Sequence, residues 1–175
     1  VFNEKVLAGL GRDLPATGRL SPEGVTLAMA SLRRFAAVLE SVRPAHCFVA
    51  ATAAVREAVD GPEFCDRVAA ETGLRIRVLS GEDEARYAAL GVLAGDPSAE
   101  GVAADMGGSS LELIRVGEGG LKPGITLPLG PFSLADPKGF DAGRLRAKIT
   151  ERLKPASKRF AATELHAVGG GWRSL

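Results

Sequence analysis

The sequence predicts an α/β protein, because short apolar segments typical of strands alternate with longer segments of helical periodicity along its 175 residues. Its composition, 46% hydrophobic and 25% charged, is that of an ordinary globular protein rather than a disordered or fibrous one. In the most informative segment, Val102–Ile114, two apolar runs flank a pair of glycines and a pair of serines. This pattern predicts a strand, a tight turn and a second strand.

Charge and composition argue against several classes of function. A net charge of +1 provides no protein-wide basic field, and 5% aromatic residues are too few for a base-stacking nucleic-acid surface. No apolar run approaches the ~20 residues of a membrane span, and no signal peptide is visible. We therefore expect a cytoplasmic protein with buried free thiols, rather than a disulfide, at Cys47 and Cys65. The isolated His46 and His166 lack the paired spacing of a zinc site.

The first half of the chain alternates between helices and strands. A helix is predicted from Ser21 to Pro44, because a capping hydroxyl and a proline at the first helical position precede an apolar stripe. A continuous apolar run predicts a buried strand at 47–51. A second helix is predicted at 60–73, with a glycine at its end, and alternating polarity predicts a half-buried strand at 74–78.

A helix is then predicted from Glu82 to about Leu93, because Ser80 and Asp83 have capping-box spacing. Three consecutive acids, ending at Glu84, occupy its first turn, where negative charge stabilises a helix. Helix stabilisation is the favoured interpretation of these acids. The functional alternative makes Glu84 a general base, with Arg86 as an anion-binding guanidinium near the same helix start.

A polar linker at 96–101 is the predicted boundary between a first lobe, residues 1–95, and the start of a second lobe, residues 102–175. Beyond the hairpin, the patterns predict a third strand at 121–129, a helix at 141–154 that ends at Pro155, and a strand at 165–168.

The hairpin has the composition of a phosphate-binding turn. Glycines allow close approach of backbone amides to an anion, and the serines add donors. The candidate phosphate-binding residues are Gly107, Gly108, Ser109 and Ser110. Asp105 and Glu112, which flank the turn, could hold a divalent cation or a water beside the anion. A plain turn with solvated serines is the alternative interpretation.

Three further features have both a structural and a functional interpretation. Arg56 follows a predicted buried strand, where open sheets place ligands, but could equally be a solvated surface arginine. Gly169 and Gly170 follow a strand and form either a second anion-binding turn or a flexible segment. The basic run at 144–159 reads as a solvated helix face or as a track for a long polyanion.

Several segments together resemble the exopolyphosphatase and guanosine pentaphosphate phosphohydrolase (Ppx/GppA) family. They are Ala51–Ala58, Val78–Arg86, Asp105–Leu113, Leu127–Gly130 and Ala167–Arg173, and the most specific is Ser80-Gly-Glu-Asp-Glu-Ala-Arg86. The resemblance implies a ribonuclease H-like, actin-like ATPase fold in two lobes. It also implies magnesium-dependent hydrolysis of the terminal phosphate of polyphosphate, or of the 5′-phosphate of guanosine pentaphosphate, and leaves a homodimer open.

The resemblance also assigns roles to individual residues. Glu84 matches the catalytic glutamate, which activates the attacking water, and Arg56 matches an arginine of the cleft. Asp105 and Glu112 match the acids that place metal or water, and the glycine turn matches the phosphate-binding turn.

This chain departs from the family pattern in three ways. In the later glycine motif, a third glycine and Trp172 follow where a threonine is usual after two glycines. Ser109 replaces a usual third glycine, and no first phosphate hairpin is present, so we expect a fragment that begins beyond that hairpin and lacks the end of the second lobe. The other functional classes are an actin-like small-molecule kinase and a non-catalytic module that binds polyphosphate or guanosine tetraphosphate.

Overall fold

The computed structural model describes residues 4–117, 119–136 and 138–174, apart from the side chains of Arg173 and Ser174. The chain divides into two compact units, Val1–Leu79 and Ser80–Leu175. Within the described ranges, no helix combines the length and the apolar character needed to cross a bilayer.

Helices dominate the first unit, and a pair of short parallel strands completes it. Its elements are α1 (Leu14–Thr17), α2 (Pro22–Val42), β1 (Ala50–Ala51), α3 (Ala53–Glu57), α4 (Gly61–Thr72) and β2 (Arg77–Val78). Met29 and Val68, from α2 and α4, are almost completely buried in the core of this unit. The two long helices confirm the predicted ones, and α4 is followed by Gly73 in the left-handed conformation (φ 71°).

The two strands of the first unit are shorter than predicted. Residues 47–51 were expected to form one buried strand, but only Ala50 and Ala51 pair with β2, and Cys47 is exposed. Phe48, within the apolar run, is 93% exposed, so the run is not buried as a whole. An apolar run predicts a strand only where a neighbouring element covers it.

The second unit is a four-stranded sheet with helices on both faces. Its elements are α5 (Gly81–Gly95), β3 (Gly101–Met106), β4 (Leu111–Val116), β5 (Ile125–Leu127), α6 (Pro131–Leu134), α7 (Ala142–Ser157), β6 (Leu165–Val168) and a 3-10 helix (Gly171–Ser174). The strand order is β5-β4-β3-β6. The first three strands form an antiparallel meander, and β6 pairs with β3 in parallel.

Alternate residues of the sheet contact different helices. Ala103 and Ile114 pack with Ala85 of α5, whereas Val102 and its neighbours on the opposite face pack with Ala156 of α7. Because α5 covers a face of this sheet, the unit begins at Ser80, and the predicted boundary at 96–101 falls inside it, between α5 and β3.

Two predicted boundaries in this unit differ from the structure. The predicted strand 121–129 is reduced to β5, which pairs with β4 over only three positions. The predicted helix end at Pro155 is also wrong, since α7 continues to Ser157. A proline in the last turn costs a backbone hydrogen bond, but here the continuation buries Ala156, which is only 1% exposed.

Candidate active site

The β3–β4 hairpin closes through the predicted tight turn at 107–110. The amide of Gly107 donates to the carbonyl oxygen of Ser110 at 3.0 Å. Among the described residues, neither the amide of Ser109 nor that of Ser110 donates a hydrogen bond to another protein group. Both serines are buried, at 6% and 3% exposure. The turn therefore offers the backbone donors that an anion needs.

The segment that leads into α6 holds this turn from one side. The carbonyl oxygen of Gly108 accepts from the amide of Phe132 at 2.9 Å. The carbonyl oxygen of Ser109 accepts twice, from the amide of Gly130 at 3.2 Å and from the Ser133 hydroxyl at 2.6 Å. In a planar trans peptide the N–H points away from the C=O. The amides of Ser109 and Ser110 are thus directed away from α6.

Gly130 is required by this arrangement. A Cβ at this position would lie 2.5 Å from backbone atoms of Gly108 and Ser109. Real side chains do not approach backbone so closely, so only glycine allows the α6 segment to reach the turn. The sequence pattern included Gly130 in the family resemblance but gave it no role.

Three polar side chains form a row across one face of the sheet, which we call the polar row: Asp105, Glu112 and Thr126. Asp105 is directly opposite Glu112 in the β3–β4 pair, and Glu112 is directly opposite Thr126 in the β4–β5 pair. Directly opposite residues of an antiparallel pair project from the same face, with Cβ atoms about 4.5–5.5 Å apart. The row is one residue pair from the turn and lies on the face that α5 covers.

The two acids of the row are candidates for holding a cation. Glu112 is only 2% exposed, and burial raises the pKa of Asp105 above its ordinary value. No group of three or more His, Cys, Asp or Glu side chains that could hold a metal occurs among the described residues. Two carboxylates on one face suit magnesium, which commonly takes one or two protein carboxylates and completes its shell with water and phosphate oxygens.

Helix α5 begins with the predicted cap and carries Glu84 in its first turn. The Ser80 hydroxyl accepts a hydrogen bond from the amide of Asp83 at 3.0 Å, which confirms the capping interaction. Glu84 is 9% exposed and lies with Ala85 on the buried face of the helix, whereas Glu82 is exposed. Side chains on a helix lean towards its N-terminus, so the Glu84 side chain leans towards the start of α5.

The start of α5 lies at the turn end of the sheet. A Cβ on Gly81 would lie 1.8 Å from Oγ1 of Thr126, and a Cβ on Gly124 would lie 2.6 Å from Cβ of Ala85. The helix therefore runs antiparallel to β5, and its first residue is level with the polar row. Glu84, the polar row and the turn meet at one end of one unit. Because a helix N-terminus favours negative charge, this end also suits a phosphate.

The glycine segment after β6 passes directly over Asp105. Gly169 has a φ of +90°, and a Cβ there would lie 2.4 Å from Oδ1 of Asp105. The indole nitrogen of Trp172 donates to the carbonyl oxygen of Ala104 at 2.9 Å, which anchors the segment to β3. The predicted Gly169 is therefore at the site, and Gly170 is its exposed neighbour in the chain.

The two predicted arginines belong to different units of the chain. Arg86 is exposed and is two residues from Glu84, about 200° around the helix, so it does not share the buried face. Arg56 belongs to the first unit, where its guanidinium donates to the carbonyl oxygen of Leu79 at 2.8 Å.

Several side chains of the basic run support protein structure. Arg152 donates to the carbonyl oxygens of Pro128 and Ser133, the latter at 3.0 Å, and Arg159 donates to the carbonyl oxygen of Pro123. Arg144 pairs with Asp136 and Asp141. Several basic side chains of this run therefore hold α7 and its C-terminal end against neighbouring loops.

The sequence model of the Ppx/GppA phosphatase family matches residues 1–173. Exopolyphosphatase 1 of Mycobacterium leprae (strain TN) is 32% identical over 148 residues, which cover 83% of this chain and 40% of that protein. Exopolyphosphatase 1 of Mycobacterium tuberculosis (strain ATCC 25618 / H37Rv) is 30% identical over 159 residues, which cover 90% and 43% of the two chains. The chain spans less than half the length of these curated relatives.

Solved structures show the same relationship. An exopolyphosphatase from Cytophaga hutchinsonii superposes with a TM-score of 0.84 at 25% identity, covering 97% of this chain and 58% of that one. The Aquifex aeolicus Ppx/GppA family member gives a TM-score of 0.70 at 27% identity, covering 93% and 55%. These similarities confirm the predicted actin-like ATPase fold. The chain belongs to the Ppx/GppA phosphatase family.

Proposed function

We propose that this chain acts in the hydrolysis of the terminal phosphoanhydride of inorganic polyphosphate, with Glu84 as general base. The observation that carries the proposal is the position of α5, whose first turn places Glu84 at the turn end of the sheet that bears the polar row. A base, two carboxylates and anion donors thus lie within Ser80–Leu175. The names of the exopolyphosphatase relatives support polyphosphate as the substrate.

Each group has a distinct task in the proposed reaction. The amides and hydroxyls of Ser109 and Ser110 donate to oxygens of the terminal phosphate. Asp105 and Glu112 would hold a magnesium ion, which when bound would neutralise charge on the transferred phosphoryl group. These residues act by positioning the phosphate against a water rather than by forming a covalent intermediate.

The general base completes the reaction. Glu84 takes a proton from a water whose oxygen forms the new bond to phosphorus. The bond from that phosphorus to the bridging oxygen breaks, and the shortened polyphosphate leaves with this oxygen at its new terminus. One water is consumed, and one orthophosphate is released for each cycle.

A polyphosphate chain would need cations beyond the turn. Arg146, Lys154 and Lys158 are exposed, and none of their side chains hydrogen-bonds to another described residue. These three side chains are therefore the part of the basic run that remains for contact with a polyanion.

Guanosine pentaphosphate is a second candidate substrate, favoured by a cavity in the second unit. The cavity has a volume of about 640 Å³ and includes Met106, Leu129 and Ile149 in its largely apolar lining. Its size lies within the ~300–1,000 Å³ of small-molecule sites. Met106 and Leu129 directly precede Gly107 and Gly130, so the cavity begins beside the turn, on the α7 side of the sheet.

The test is phosphate release from polyphosphate and from guanosine pentaphosphate, measured in parallel with magnesium. Faster release from polyphosphate supports the proposal, and faster release from guanosine pentaphosphate favours the second candidate. ATP turnover that depends on a small-molecule acceptor would indicate a kinase instead. Binding of polyphosphate without release would indicate a non-catalytic module.

A further inference from the structure

We propose that the hydroxyl of Thr126 is a second hydrogen-bonding partner of the attacking water, beside Glu84. This inference rests on the hydrolase function proposed above and adds a residue to that reaction. Sequence reasoning gave Thr126 no role, because nothing in its local sequence, Ile125-Thr-Leu, distinguishes it from any strand threonine.

Two independent contacts place Thr126 beside Glu112 and beside Gly81. Across the β4–β5 pair it is directly opposite Glu112, so its side chain lies on the face of the two acids. The start of α5 packs so closely against Thr126 that a Cβ on Gly81 would lie 1.8 Å from its Oγ1 atom. The hydroxyl is thus between the polar row and the helix start.

Glu84 reaches the same space. It is three residues after Gly81, which corresponds to about 4.5 Å along the helix and about 60° around it. Because helical side chains lean towards the N-terminus, its carboxylate leans towards the level of Thr126. Both groups therefore border the region above Glu112.

The Thr126 hydroxyl has the bonding capacity that this role requires. It takes part in no hydrogen bond with the residues that the structure describes, and a hydroxyl oxygen can accept two. A nucleophilic water has two protons and must direct a lone pair at phosphorus. Glu84 accepts the proton that is transferred, and Oγ1 of Thr126 accepts a hydrogen bond from the other O–H. With both O–H bonds held, a lone pair of the water can be aimed at the phosphate.

Two substitutions distinguish a packing role of Thr126 from a chemical role, because the two roles predict opposite rankings of the variants' activity. Thr126→Val keeps the volume and β-branched shape suited to a strand but removes the hydroxyl. Thr126→Ser keeps the hydroxyl but removes the methyl group. If Thr126 only packs against Gly81, valine will preserve function better than serine. If the hydroxyl holds water, serine will preserve it better.

The experiment compares steady-state phosphate release from polyphosphate by the unmodified chain, both variants and the control Thr150→Val, at an exposed site on α7. We expect Thr126→Val to lower kcat about tenfold, as for loss of one hydrogen bond, with KM within about twofold. Thr126→Ser and Thr150→Val should retain most of kcat, and thermal unfolding should show Thr126→Val folded.

Four outcomes would overturn the inference. Equal or higher kcat for Thr126→Val than for Thr126→Ser would assign Thr126 to packing. A rise in KM with unchanged kcat would assign the hydroxyl to substrate binding. Absence of release by the unmodified chain would overturn the hydrolase function and this inference together, whereas normal release by Thr126→Val would overturn the inference alone.

Discussion

Asp105 and Glu112 face each other directly across the antiparallel β3–β4 pair, on the face of the sheet that α5 covers. Like charges at directly opposite positions destabilise a sheet, and both carboxyl groups are at least partly buried. Burial therefore gives the ionised form of Asp105 an electrostatic cost in the folded protein, which a bound cation would offset.

This cost predicts a pH-dependent gain in stability for Asp105→Asn. Burial raises the pKa of Asp105, so the folded state disfavours its ionised form, and stability falls as pH rises from about 4 through the raised pKa. The variant removes that loss. Urea unfolding without divalent cations should show Asp105→Asn gaining stability relative to the unmodified chain towards pH 8, with little difference near pH 3.

Asp96→Asn is a control, because the contribution of Asp96 to stability depends on pH in the opposite direction. Hydrogen bonds from Ser98 lower the pKa of Asp96, so its contribution to stability is present above the ordinary value and lost as pH falls. A gain for Asp105→Asn that did not change with pH would contradict the explanation by burial.

Gly130→Ala should disrupt the turn. Its Cβ would lie 2.5 Å from the backbone of Gly108 and Ser109, so the α6 segment must move away, at a cost of about 1–3 kcal/mol. Thermal unfolding should show this loss, and phosphate release should fall with it. Gly91→Ala, in α5 with no atom within 4 Å of the added Cβ, should instead be neutral or stabilising by up to ~1 kcal/mol. Equal stability of the two variants would contradict the close-approach argument.

Ser133→Ala should weaken substrate binding more than turnover. The Ser133 hydroxyl donates to the carbonyl oxygen of Ser109 at 2.6 Å and so fixes the peptide whose amide would donate to a bound phosphate. Loss of one such hydrogen bond costs about 1 kcal/mol, so KM for polyphosphate should rise several-fold while kcat changes little. Ser157→Ala, which removes a hydrogen bond to Lys154 at the end of α7, should leave both constants unchanged. An unchanged KM for Ser133→Ala would show that the turn does not need this support.

The sequence predicted those features that depend on neighbouring residues in the chain. The cap of α5 at Ser80 and the hairpin turn at 107–110 follow from local chemistry, and the structure has both. The strand at 47–51 was wrong in its extent, because burial depends on which elements cover an apolar run. The place where the units divide, before α5 rather than after it, follows from packing of Ala85 on the sheet.

The residues that sequence reasoning missed act through contacts between distant segments. Gly130 and Ser133 contact the turn, and Thr126 contacts Gly81, although each pair is more than twenty residues apart in the sequence. A glycine next to a helix start and a threonine in a strand have ordinary local explanations, so no pattern marks them. A glycine whose added Cβ would clash with another segment marks a close contact of this kind, and only the structure shows it.

The central claim, that Glu84 is the general base, is tested most directly by comparing Glu84→Gln with Glu82→Gln. Both remove one negative charge from the first turn of α5, but Glu84 is on the buried face and Glu82 is exposed. The measurement is kcat for magnesium-dependent phosphate release from polyphosphate. The account predicts a loss of at least ~10²-fold for Glu84→Gln and little change for Glu82→Gln. Full activity of Glu84→Gln would contradict it.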